Sequence, residues 1–239
     1  MKPIYKTISL TTLALVAAFA VTARADAATT SIADLVVALH PTPAVAGTPR
    51  GVALDAIGPT RARRPELRQR VEHVQLLRRE DIGRFGSLGV IASMQPIHAT
   101  SDRDLVDRYW GAERATRAYP WRQLLRSGAR LAFGSDAPVE PIDPLLGIHA
   151  AVARNRPGDA DRWHPEEALT LGEAIAGYTS GAAYAMNADG ERGTLAAGMR
   201  CDATVVERDL GTTAVDEWPS LKITGTIVDG AVVHAAGLA

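Results

Sequence analysis

The chain has 239 residues, a net charge of −1, 46% hydrophobic residues and 22% charged ones. Those values describe one ordinary globular domain, or a domain with an appendage. A charge this close to zero gives no electrostatic reason to bind nucleic acid. Aromatics are only 5%, so the core is expected to rest on Ala, Leu and Val packing.

Lys2 and Lys6 flank the start of an almost wholly apolar run, residues 8–21, that carries Leu10, Leu13, Leu15, Val16 and Phe19. Ala23-Arg24-Ala25 and Ala25-Asp26-Ala27 each offer a small-x-small cleavage site. This is the pattern of a secretory signal peptide over residues 1–25. The alternative is a membrane anchor, but the run is shorter than the ~20 residues a spanning helix needs. Cleavage would leave a periplasmic or extracellular protein with no membrane attachment. Cys201 is the single cysteine, so no internal disulfide can form. A buried, inert thiol is the expectation for it.

Residues 26–64 read as an irregular linker. Residues 32–39 could form one strand, and Gly58-Pro59-Thr60 reads as a break. The basic side chains Arg61, Arg63 and Arg64 suit a solvated face.

Residues 65–189 are regular. A short strand over residues 70–74 includes His73. Arg79-Glu80-Asp81 opens a helix with Ile82, Phe85 and Leu88 on one face, closed by Gly89 as a left-handed cap. Residues 90–95 form the next strand, stopped by Pro96, with His98 just beyond. A helix start follows at Ser101-Asp102, and Trp121 to Ser127 is a further helix ended by Gly128. Leu131-Ala132-Phe133 is then a buried strand, running into Gly134-Ser135-Asp136 and stopped by Pro138. Strand, helix, strand, helix, strand implies parallel strands with right-handed crossovers. Residues 144–153 read as a helix, and Thr170-Leu171-Gly172-Glu173 as a capping box before another. The character changes over residues 190–239. Gly193-Thr194-Leu195 and residues 201–206 read as short strands. Asp229-Gly230 between two β-rich runs is a hairpin signal.

The strand ends therefore offer His73, His98 and Asp136. In a parallel sheet the carboxyl ends are where α/β enzymes keep their chemistry. His and Asp are suitable zinc ligands, and a catalytic zinc site needs about three protein ligands and an open position for water. Each residue also has a plainer reading: Asp136 as a turn or cap carboxylate, His73 and His98 as structural histidines.

Three segments resemble the amidohydrolase superfamily, and within it amidohydrolase family 3, which includes the N-substituted formamide deformylases. They are Arg70-Val71-Glu72-His73-Val74-Gln75, Ser93-Met94-Gln95-Pro96-Ile97-His98, and Gly134-Ser135-Asp136-Ala137-Pro138-Val139. Residues 193–203 resemble the family's G-x-L-x-x-G-x-x-A-D segment, with Cys201 where Ala is usual. The resemblance covers roughly residues 64–233, the carboxyl-terminal portion of the family pattern.

The resemblance implies an α/β fold: a partial metal-dependent (β/α)8, TIM-type barrel holding the last three strands, with a small C-terminal β-sandwich portion. It implies hydrolysis of non-peptide C–N bonds in small amide-type substrates. His73 matches the sixth-strand metal ligand, and Asp136 the eighth-strand Asp that touches the metal and acts as general base. His98 matches a residue near the substrate, while Ser135 and Gln95 match scaffold positions. The metal would be zinc or another divalent ion, in a site left incomplete. The family's first-strand H-x-H pair, fourth-strand bridging residue and fifth-strand His have no counterpart here. Ala33 to Val37 resembles the family's opening sandwich strand. The pattern is that of a member lacking about 250 central residues of a barrel of usual size. Self-association or a complementing amino-terminal half would then supply the rest. The alternative is a non-catalytic secreted α/β remnant or a partner-binding module.

Overall fold

The computed structural model describes residues 49–236. The signal pattern and the candidate strand at residues 32–39 lie outside them. The first described element, helix α1 (Pro49–Arg63), falls where the sequence suggests an irregular linker. Pro59 lies inside it, and Thr60 bonds back through its hydroxyl to the Ala56 carbonyl. A proline here removes one donor, which is the local signal for a break. Burial outweighs it: Ala53 and Leu54 are buried, and Ile57 packs against the same core.

A three-stranded parallel sheet forms the centre, in the order β1 (Arg70–Glu72), β2 (Ile91–Met94), β3 (Arg130–Phe133). The register pairs Glu72 with Ser93 and Met94 with Phe133. Helix α2 (Arg79–Leu88) crosses from β1 to β2 and buries Ile82 and Phe85. Gly89 at φ 60° closes it, giving its N–H to the Gly86 and Phe85 carbonyls. Between β2 and β3 run α3 (Pro96–Ser101), α4 (Arg103–Tyr109), α5 (Ala112–Ala115) and α6 (Trp121–Arg126). A β-carbon on Gly86 would stand 1.8 Å from the Ser127 carbonyl oxygen, so α2 can lie this close to the end of α6 only without a side chain there.

Helix α7 (Pro144–Ala153) follows, capped by Asp143 on the Leu145 N–H. Then come α8 (Leu171–Ala176), a π turn at Gly177–Gly181, and α9 (Ala182–Ala185). The Thr170–Glu173 capping box is present at the start of α8, with both reciprocal bonds. The main core lies on one face of the sheet, where Val71, Ala92, Met94, Leu131 and Phe133 stand side by side and Phe85, Trp121, Leu124 and Leu145 pack in the same cluster. Among the described residues no helix is long and apolar enough to cross a membrane.

The carboxyl-terminal part is one antiparallel sheet, β4 (Ala203–Val206), β5 (Ile223–Val228) and β6 (Ala231–Ala235), in that order. The β5–β6 turn has Asp229 at φ 53° and Gly230 at φ 81°, the paired left-handed geometry that two-residue hairpins favour. Among the described residues this one sheet stands alone where a sandwich portion is expected, and β6 is exposed along its whole length. Two expectations need correction here. Gly193-Thr194-Leu195 is not a strand. Cys201 is exposed, not buried, because it sits on the approach to β4 rather than inside a packed strand. The sheet is joined to the body through a 3-10 turn, Val215–Ser220, whose Trp218 is buried beside α7.

Candidate metal centre

A parallel sheet puts all its carboxyl ends on one side, and here each end is followed at once by a polar residue. β1 stops at Glu72, not at residue 74 as its sequence suggests. His73 and Val74 turn away with φ of 66° and 41°, and the Val74 N–H bonds the Glu72 carbonyl at 2.8 Å. Such a φ is unusual for a β-branched residue such as Val74, and it swings the His73 side chain off the strand end. β2 runs through Gln95 into α3, where Pro96 takes the first helical position and His98 the third. β3 runs into Gly134-Ser135-Asp136, with Asp136 at φ 58°.

These turns bring His73, His98 and Asp136 together, with one ligand atom of each lying within 4.8 Å of the others. His73 Nδ1 and His98 Nε2 are each 3.9 Å from Asp136 Oδ2. The two imidazoles are stacked, 5.9 Å between centroids and 25° between planes. His98 is buried, its side chain 8% exposed, whereas that of Asp136 is 37% exposed and opens the cluster to solvent.

Burial holds the His98 imidazole below its usual pKa, against the opposing pull of the Asp102, Asp136 and Glu140 carboxylates; His73 adds to the lowering. A neutral imidazole keeps the lone pair a metal needs. Both ring nitrogens of His98 are buried without a hydrogen-bond partner among the described residues. Buried polar groups are normally paired, so an unpartnered imidazole beside a carboxylate and a second imidazole is a set of donors that fits a divalent ion. Two nitrogens and one oxygen suit zinc.

Two neighbours have a closer hand in the geometry than their sequence context suggests. Gln95, which resembles a scaffold position, stands with its Oε1 3.0 Å from His73 Nδ1. Its place at a strand's carboxyl end, just before Pro96, is the signal that could have marked it. Tyr178 lies 44 residues from Gly134 along the chain, yet its hydroxyl donates to the Gly134 carbonyl at 3.4 Å. Its ring meets Phe133 edge-on, with centroids 5.6 Å apart. Burial pushes the phenol pKa well above its usual value, so it remains a donor at any ordinary pH. It reaches this position from the π turn, which no local sequence pattern announces. Ser135 turns back on the chain, accepting the Ala137 N–H at 3.3 Å.

Comparison with known proteins agrees with this geometry. A profile of the amidohydrolase family matches residues 5–234, beginning well before the stretch whose motifs carry the resemblance. The protein LONG AFTER FAR-RED 3 of Arabidopsis thaliana is 37% identical over 169 residues, covering 69% of this chain and 28% of that protein. The N-substituted formamide deformylase of Arthrobacter pascens is 30% identical over 162 residues, covering 67% of this chain and 30% of that protein. Among solved structures, an uncharacterized metal-dependent hydrolase from Pyrococcus horikoshii is similar with a TM-score of 0.55 and 33% identity, over 63% of this chain and 30% of that one. The chain thus spans less than a third of the length of these relatives. Matched by the profile over nearly its whole length, with the motif-bearing strand ends meeting at one cluster, the chain belongs to the amidohydrolase family.

Proposed function

We propose that the chain carries the carboxyl-terminal part of a metal-dependent hydrolase acting on the C–N bond of small amide-type molecules, with zinc as the first choice of ion. The observation that carries the reading is the meeting of His73, His98 and Asp136 within 4.8 Å at the sheet's carboxyl ends. His73 and Asp136 would hold the ion, and His98 closes the third side of the cluster. When bound, the ion supplies positive charge that polarises the carbonyl and makes water more acidic. Asp136, open to solvent, takes a proton from the attacking water as the new C–O bond forms. It passes that proton to the departing nitrogen as the C–N bond breaks, leaving acid and amine. His98 and Gln95 border the space the substrate enters. The residues 1–25 pattern supports action outside the cytoplasm, and amino-terminal sequencing of the secreted chain tests that part.

The test is hydrolysis of simple N-alkyl formamides by the purified chain with zinc added or chelated. Zinc-dependent turnover that drops at least about 100-fold in Asp136→Asn is the expected result, in line with loss of a general base. Turnover indifferent to zinc or to this substitution would refute the reading.

A second reading is favoured by one observation: among the described residues β1 and β3 each pair on one side only. Another chain, either a second copy or a complementing amino-terminal half, would close the sheet and supply further site residues. Light scattering of the purified chain separates self-association from a need for a different partner.

A further inference from the structure

We propose that His149 is an acid-sensitive clasp at the junction of the two sheets. Neutral, it lets the Val215–Ser220 turn pack on α7; on taking up a proton it releases the turn and the antiparallel sheet joined to it. Neither the metal nor hydrolysis enters into this role.

His149 lies in the middle of α7 and is 1% exposed. Neither of its ring nitrogens has a hydrogen-bond partner among the described residues. A neutral imidazole tolerates such a place at modest cost. An imidazolium does not, because two N–H donors and a charge would be buried with nothing to receive them. Burial accordingly holds the ring below its ordinary value of 6.5, with the Asp216 carboxylate pulling the other way.

The surroundings of the ring decide what a proton would move. α7 packs against α3, α8 and the turn, and Tyr178 meets it at Gly147. The ionisable groups on these neighbours are mostly engaged elsewhere. His98 on α3 faces Asp136, Glu173 on α8 is bonded to Arg122, and the Tyr178 hydroxyl donates to the Gly134 carbonyl. At the carboxyl end of α7, Arg154 lies over the Trp121 ring, and Arg162 donates to the Val152 and Ala153 carbonyls. On the turn, Glu217 pairs with Arg208. Asp216, exposed on the turn, is the one charge among the described residues that acts on His149.

The turn is held on α7 by packing alone. Trp218 is buried there, yet its Nε1 donates to the Thr213 carbonyl within its own segment. Among the described residues no hydrogen bond or ion pair joins the turn to α7. The chain entering α8 is tied more firmly, through the Leu169 N–H on the Ala151 carbonyl. A charged His149 therefore reaches water, or Asp216, by displacing the turn, and β5 begins three residues after it. The closed form binds the proton more weakly than the released form. Closure is complete above 6.5 and weakens as pH falls below it, by a factor approaching about ten per pH unit for one proton.

The experiment is hydrogen exchange of the whole chain, read by mass spectrometry from about pH 8 to about pH 5 and corrected for the chemical rate at each pH. Carboxylates stay largely ionised over that range. Protection of the turn and of β4–β6 is expected to fall by up to about tenfold per pH unit below 6.5, while α2 and β2 keep theirs. His149→Gln cannot take the proton and should hold its protection constant. Asp216→Asn removes the charge that favours the proton, so its loss should begin at lower pH. His234→Gln is the control, because His234 lies on β6 itself with Nε2 3.3 Å from the Ile223 carbonyl oxygen; it should follow the parent.

Parent protection that stays flat below 6.5 overturns the proposal. So does a loss that survives in His149→Gln, vanishes in His234→Gln, or runs equally through α2 and β2. Should His149→Gln fail to fold, Asp216→Asn decides: a midpoint below the parent's supports the clasp, and an unchanged one refutes it.

Discussion

The two sheets of this molecule are built from similar strands and have opposite fates. β2 and β3 are lined by buried residues: Ile91, Ala92, Met94, Leu131, Ala132 and Phe133. β6, Ala231-Val232-Val233-His234-Ala235, is exposed throughout. Val232 and Val233 are as apolar as anything in β2, so hydrophobicity alone does not decide the outcome. Cover does. Helices joined by crossovers fold back over a parallel sheet, whereas a hairpin meander brings no cover of its own. The candidate site lies at the end of the covered sheet, where the strand ends bring His73, His98 and Asp136 together.

Substitutions that separate the two regions sharpen this contrast. Trp121→Ala in the covered part removes a fully buried ring that meets Phe133 edge-on and carries the Arg154 guanidinium 4.3 Å from its centroid. It is expected to cost about 3–5 kcal/mol in denaturant unfolding. A loss under about 1 kcal/mol would show that the parallel sheet is not the stable core.

Gly147→Ala is next. A β-carbon there would lie 1.7 Å from the Tyr178 hydroxyl, so the ring that supports the Asp136 loop must move. The expected cost is about 1–3 kcal/mol, with zinc affinity falling as well. A variant as stable as the parent would show that Tyr178 has room to spare.

Smaller, and readable as a pH effect, is the Arg122–Glu173 pair beneath α8. The Arg122 guanidinium bonds both Glu173 oxygens and holds this carboxyl down at about 2, aided by the Thr170 N–H and hydroxyl. The folded pKa is depressed, so the stabilisation is present above the unfolded value near 4.5 and fades as pH falls toward 2. The melting temperature of Glu173→Gln should therefore lie below the parent's at neutral pH and converge on it between pH 4.5 and 2. A gap that stays constant across that window would mean the ionised carboxylate is not what matters.

Smallest of all is Val233→Thr on the uncovered hairpin, expected to change stability by no more than about 0.5 kcal/mol. A loss of 2 kcal/mol or more would mean that something packs on β6 in solution.

The order of elements in the covered region is legible in the amino-acid sequence because its punctuation is local. Gly89 ends α2, Thr170 and Glu173 open α8, and Asp229-Gly230 turns the hairpin, each through chemistry contained in a few residues. The nomination of His73, His98 and Asp136 follows from the same order, since parallel strands present their ends together. Their spacing does not follow from it. It depends on left-handed turns at His73 and Asp136, and Val74 is a residue type from which such a turn is not expected. Helix α1 is illegible for the opposite reason. Its local signal, Gly58-Pro59, points away from a helix, and only the burial of Ala53 and Leu54 against distant residues reverses it. The π turn that delivers Tyr178 has no sequence mark at all. It is fixed by close contact, since a β-carbon on Gly177 would stand 2.4 Å from the Phe133 ring.

Cys201 turns this architecture into something that can be watched. It is the only cysteine of the chain, it is exposed, and its carbonyl accepts the Gly230 N–H that fastens the hairpin turn to the approach to β4. A single maleimide dye would attach there and nowhere else, giving a homogeneous label without mutagenesis. Trp218, buried against α7, is one of four tryptophans that would serve as native donors, the other three, Trp110, Trp121 and Trp163, lying in the body. Transfer from tryptophan to the dye would report whether the hairpin sheet parts from the body before the parallel sheet melts, or whether the two melt as one.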